Sequence, residues 1–174
     1  MNNLLEHRHR DGFTLVELIV VMAIMSILLG LATFAFHDWT VKSAVEAQIR
    51  QMATDINTLR LGAMTMKLRE SITFNASSYV FKSYSSDNES LSAGQVLSTG
   101  NHTVSYPLMR KNNTTAVACA GEVYEIDQRG QLVGSTVSIF INYVGSANPD
   151  CLNINTILVN PGKKSATAVV CNDQ

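Results

Sequence analysis

The sequence predicts an α+β protein: one long N-terminal helix, half apolar and half amphipathic, packed on an antiparallel β-sheet head. Three observations predict it. No charged side chain occurs from Leu18 to Phe36. Next, Val45, Ile49, Met52, Ile56, Leu59, Ala63 and Met66 follow at spacings of 4, 3, 4, 3, 4 and 3, which draws one helical stripe. From Glu70 onward the hydrophobic period moves towards two and the composition towards Ser, Thr, Asn and Val, as in half-buried strands.

The first element is the apolar run. A membrane-spanning helix needs about 20 predominantly apolar residues, and this run meets that length. Arg8 and Arg10 precede it, so the positive-inside rule leaves the N-terminus in the cytoplasm and the rest of the chain outside. A secretory signal would carry a small-residue cleavage site after the run. Thr33-Phe34-Ala35-Phe36-His37 offers no good one, and Gly12 lies before the run instead. One carboxylate, Glu17, stands at its start. A charge there costs on the order of 2.5–3.5 kcal/mol at the bilayer centre and less near the interface, so such residues are functional by default.

The basic leader His7-Arg8-His9-Arg10, then Gly12-Phe13-Thr14-Leu15-Val16-Glu17, then an apolar helix, resemble the type IV pilin-like family. This is the class III signal of pilins and of type II secretion pseudopilins. The resemblance implies cleavage between Gly12 and Phe13 by a prepilin peptidase, with N-methylation of the new amine to give N-methylphenylalanine at Phe13. It also implies that Glu17 pairs with the methylated amine of a neighbouring subunit during filament assembly. The alternatives are a simple single-span anchor, and a Glu17 that snorkels to the headgroups. The expected organisation is a cleaved leader over 1–12, a transmembrane or filament-core half-helix over 13–38, and a periplasmic α+β head over 39–174. Expected partners are other pilins or pseudopilins in a filament, the prepilin peptidase and an inner-membrane assembly platform. The expected location is the bacterial inner membrane, single-pass, and then a periplasmic or surface filament.

The second element is the amphipathic half. No proline interrupts Phe13 to Lys67, so one continuous helix is expected, roughly 80 Å long at about 1.5 Å per residue. Lys42, Glu46, Gln48, Arg50, Asp55 and Asn57 mostly fall off the apolar stripe. A coiled coil is the rival reading, weakened by the short repeat and by Ala and Met in place of Leu. Asp55 to Met64 resembles the end-of-helix segment of the GspH/FimT group, a minor pilin and minor pseudopilin branch, from which Leu59 and Gly62 depart. Gly62 costs about 1 kcal/mol of helix propensity relative to Ala, so a kink or a close approach of the sheet is expected there.

The head reads as strands and turns. Ser71–Phe74 and Ser78–Tyr84 are predicted strands, Ser85–Gly100 a polar surface loop around Asp87-Asn88-Glu89, and His102–Tyr106 a strand ending at Pro107. Arg110-Lys111 reads as a solvated turn and Ala116–Cys119 as a further strand. Val123–Val133 reads as a hairpin turning at Gln128-Arg129-Gly130, followed by strands Val137–Tyr143 and Ile154–Lys163. This order resembles the GspH/FimT domain over roughly residues 55–171. Gly130 and Gly162 fit as turn residues with φ > 0.

Composition narrows the function. At 174 residues, one domain beyond the membrane helix is expected. The net charge is −1, and removing the leader takes away Glu6 and Asp11 with Arg8 and Arg10, so the balance is unchanged. Cys119, Cys151 and Cys171 all lie in the last third. Three cysteines allow one disulfide and leave one thiol, and loop length does not choose among the pairings. Cys151–Cys171 is favoured because each follows or ends a strand region of the C-terminal lobe. No metal site is expected, since the cysteines lack close CxxC spacing and the histidines are remote. No cofactor is expected either. No phosphate loop, nucleophile elbow or zinc-protease motif is present, so no enzyme is predicted and a membrane-anchored enzyme ranks last.

Two function classes remain. The first is a structural subunit, a minor pilin of a type IV pilus or a minor pseudopilin of type II secretion. The second is a FimT-like minor pilin that binds DNA for uptake through a basic C-terminal loop. Lys163 and Lys164 are its only candidates. Phosphate binding needs clustered Lys and Arg, and the arginines that the resemblance implies for such a loop are missing, so a nucleic-acid partner is not expected.

Overall fold

A computed structural model describes residues 12–174, except 87–88, 91–92, 113–114, 144, 146, 166–169 and 174. The leader other than Gly12, with its His7–Arg10 cluster, lies outside the described residues. The chain divides into two compact units, Met1–Thr40 and Val41–Gln174. Helix α1, Leu15–Met66, supplies residues to both.

In the first unit, Thr14 caps the helix. Its Oγ1 accepts the Glu17 N–H at 3.2 Å, which satisfies a backbone donor that has no partner within the helix. Ser26 lies within the apolar run, and its hydroxyl donates to the Met22 carbonyl at 2.8 Å. That bond removes the cost of an unpaired hydroxyl in an apolar setting.

In the second unit, Val45, Ile49, Met52, Ile56, Leu59 and Ala63 are all buried. At about 1.5–3 kcal/mol per large side chain, this face is a main stabilising contact of the head. Polar neighbours beside the stripe fasten the helix to loops. Gln48 donates from Nε2 to the Tyr106 carbonyl at 2.9 Å and accepts the Tyr106 N–H on Oε1 at 3.0 Å. Glu46 accepts the Asn148 N–H at 2.9 Å. The last stripe position departs from expectation, because Met66 is 71% exposed. The helix stops there, and Lys67 takes a left-handed conformation with φ 55°. Gly62 lies inside α1, which runs without a break to Met66. A Cβ there would lie 3.1 Å from Glu70 Oε1, so the expected close approach comes from a side chain of the sheet.

Among the described residues ten strands follow: β1 Glu70–Asn75, β2 Ser78–Ser83, β3 Gln95–Thr103, β4 Leu108–Asn112, β5 Thr115–Ala118, β6 Ala120–Ile126, β7 Val137–Ile141, β8 Cys151–Ile154, β9 Val159–Lys164 and β10 Cys171–Asp173. They form two antiparallel sheets, ordered β3-β2-β1-β6 and β10-β9-β8-β7-β4-β5. Ile72 and Phe74 of the first sheet share one buried cluster with Ile139, Ile141, Leu152 and Ile154 of the second and with the α1 stripe. The architecture is α+β and pilin-like.

Five sequence expectations are corrected. Gly162, expected in a turn with φ > 0, lies inside β9 and has no positive φ, unlike Gly130. The predicted loop Ser85–Gly100 gives its last part, from Gln95, to β3, whose backbone pairs Lys82 with Val96 and Ser83 with Gln95. The predicted strand His102–Tyr106 ends at Thr103, and Tyr106 spends its backbone groups on Gln48 instead. Arg110 and Lys111 are not in a turn. They lie in β4, where Arg110 pairs with Val117 on one side and Ile139 on the other. The predicted strand Ile154–Lys163 is a hairpin, β8 and β9, with Ile157 and Leu158 exposed in its connection. In the predicted hairpin Val123–Val133, the turn is present, with the Gly130 N–H on the Asp127 carbonyl at 2.9 Å. Its return arm is reduced to one bridge, Ile126 to Leu132.

Candidate functional site

The N-terminal motif is built on the first helical turn. Gly12 has nothing within 4 Å of an added Cβ, and Phe13 is 84% exposed. The Thr14 cap sets where the helix starts and leaves Glu17, also exposed, in its first turn. A carboxylate there faces the positive end of the helix dipole. The reading from sequence missed the cap, although Thr14-x-x-Glu17 is a capping-box spacing that would have shown it. Beyond Glu17 the apolar side chains are uncovered, with Leu18, Ile24 and Leu31 exposing 53%, 53% and 67%. By length and composition α1 is the one helix among the described residues able to cross a membrane.

Residues 7–33 match the family model of the prokaryotic N-terminal methylation motif. No curated protein and no solved structure matches the chain significantly. The chain therefore carries the type IV pilin class III signal at its N-terminus. The motif implies prepilin-peptidase processing and filament assembly in general. It spans Gly12, Phe13 and Glu17.

The predicted head residues are placed as follows. Cys151 and Cys171 form a disulfide across a sequence separation of 20 residues, linking β8 to β10 and enclosing a small second core with Phe140. Cys119 is a buried free thiol. Burial, with Glu122 nearby, pushes its thiol up to about 12. Lys163 and Lys164 are consecutive in β9, and successive strand residues point to opposite faces, so they do not form a cluster. Arg110 is committed to Glu122, Nε to Oε1 at 2.5 Å.

The structure also assembles polar groups that sequence reasoning did not single out. Asp55 on α1 accepts the Tyr79 hydroxyl at 2.6 Å and the Gln51 amide at 2.7 Å. His102 Nδ1 lies 3.4 Å from Asp55 Oδ2, and its ring stacks on Tyr79 with centroids 4.8 Å apart. Glu70, the first residue of β1, is only 4% exposed, and its Oε2 has no hydrogen-bond partner. Burial raises its carboxyl to about 7. Arg60 is equally buried and donates from Nη2 to the Asn155 carbonyl at 2.6 Å. The available signal for Glu70 was its place two before Ile72 and four before Phe74, the inward positions of β1.

Proposed function

We propose that this chain is a minor pilin or minor pseudopilin, a structural subunit of a type IV pilus or a type II secretion pseudopilus. The observation that carries this reading is the methylation motif over residues 7–33, which runs into the first turns of α1, where the apolar side chains from Leu18 to Leu31 stay uncovered. Prepilin peptidase cuts between Gly12 and Phe13 and the new amine is methylated. The run stays on the mature protein, holds it in the inner membrane with the head in the periplasm, and then packs in the filament core. Glu17 pairs with the Phe13 amine of a neighbouring subunit, which offsets the cost of taking a carboxylate into an apolar core. The α+β head and the Asp55–Met64 segment support the GspH/FimT branch.

Mass spectrometry of the membrane-bound protein tests this reading. The expected mature chain begins at N-methylated Phe13. An intact leader, or a start beyond Ala35, overturns it.

A further inference from the structure

Between the end of α1 and the four-stranded sheet lies a cavity of about 360 Å³, within the size range of small-ligand pockets. Its walls include Leu59, Phe81 and Leu97, and its polar groups are Asp55, His102, Glu70 and Thr58, whose hydroxyl donates to the Thr54 carbonyl. Asp55 is already engaged by Tyr79 and Gln51, with His102 beside it. Glu70 is not, because its buried Oε2 meets no donor. A buried carboxylate without a partner carries a large desolvation cost. No cluster of three His, Cys, Asp or Glu able to hold a metal exists among the described residues. The remaining complement is one compact cation on an apolar stem. A guanidinium suits paired acceptors in a plane, whereas an ammonium is a point charge on a flexible aliphatic chain.

We propose that this cavity binds an alkylammonium group, with the ammonium on Glu70 and the hydrocarbon stem against Leu59, Phe81 and Leu97. A lysine side chain of another protein and a free aliphatic amine share that chemistry. Burial raises the Glu70 carboxyl, so the empty cavity holds a proton that an arriving ammonium displaces. The titratable groups facing Glu70 across the cavity are Asp55 on α1 and His102 on β3. The register neighbours of Glu70, Ser83 on β2 and Ile126 on β6, bring none. Protonation of Glu70 removes the charge that an ammonium needs, so binding weakens as pH falls through about 7.

The test is a titration of the full chain in detergent with n-butylammonium and with n-butanol, read by calorimetry and by saturation-transfer NMR. Butylammonium is expected to bind at least about tenfold more tightly than the neutral alcohol, the worth of one charge-assisted hydrogen bond. That preference should vanish in Glu70→Gln, which keeps the shape. Leu97→Trp, which fills the cavity from its half-exposed side, should abolish binding while Glu70 stays in place, and thermal unfolding confirms that each variant folds. A parallel titration with Nα-acetyl-lysine methylamide separates the sources. Binding assigns the cavity to a partner's lysine, and exclusion assigns it to free amines. Equal affinity for amine and alcohol, or undiminished amine binding in both variants, overturns the proposal.

Discussion

Glu70 and Glu17 are both carboxylates in costly surroundings, and they differ in what relieves the cost. For Glu70 nothing within the head does. Its folded carboxyl titrates at about 7 against an ordinary value of 4.5. The folded protein therefore keeps a proton that the unfolded chain has released. Stability is highest below the ordinary value, falls as pH rises, and the loss is complete above about 7. Urea unfolding of wild type and Glu70→Gln between these limits should show wild type losing on the order of 2–3 kcal/mol, with the variant nearly flat over that span. Parallel curves for the two proteins would mean that Glu70 is hydrated. For Glu17 the proposed relief comes from another subunit. Glu17→Ala should leave membrane insertion intact, since removing a charge from an apolar helix eases insertion. It should lower the variant's incorporation into filaments, because the neighbouring amine is left unpaired in a low-dielectric core. Quantifying the variant in purified filaments beside wild type checks this, and equal copy number refutes it. Gly12, Phe13 and Glu17 stand in a linear motif and could be read directly. Glu70 had only its inward place in the period of β1, two before Ile72, and its full burial depends on a helix and a sheet meeting over it.

At the level of elements, α1 was legible because its signal is local. The 3–4 spacing of apolar residues places six of seven stripe members in the core, and only Met66, at the helix end, escapes it. β3 and β4 were illegible for the opposite reason. Gln95–Thr103 and Leu108–Asn112 carry polar side chains that read as loop or turn, and backbone pairing, of β3 with β2 and of β4 with β5 and β7, makes them strands. The hairpin of β8 and β9 was merged because Ile157 and Leu158 continue the apolar run through the connection. The edge strand β10 depends on two devices. The disulfide ties it to β8, and Gly162 lets it approach β9, since a Cβ there would lie 2.4 Å from the Asn172 carbonyl oxygen. Closing a loop with a separation of 20 residues is worth about 3 kcal/mol in the chain-entropy account. Reduction should therefore lower Tm, and Gly162→Val should release β10, raising hydrogen exchange at Cys171 to Asp173 while the amides of β1 and β2 stay protected. An unchanged Tm after reduction would show that β10 contributes no stability.

The whole molecule joins two solutions to the same problem, that apolar surface must be covered. The head covers its share internally, and the Leu18–Leu31 stretch of α1 does not. A chain starting near Trp39 should therefore fold as a soluble α+β domain, because residues 41–174 already form a compact unit with a core drawn from the stripe and both sheets. Ile56, fully buried in mid-stripe, is the position on which this rests. Ile56→Asp loses about 2–5 kcal/mol of packing and buries an unpaired charge besides, enough to unfold a domain of ordinary marginal stability. Lys42→Asp, off the stripe, should cost under about 1 kcal/mol. Thermal melts of the truncated head followed by circular dichroism decide it. A cooperative transition in wild type and Lys42→Asp, absent in Ile56→Asp, is the expected result. If both variants melt alike, the second half of α1 is not what holds the two sheets together, and the coiled-coil reading of the stripe returns.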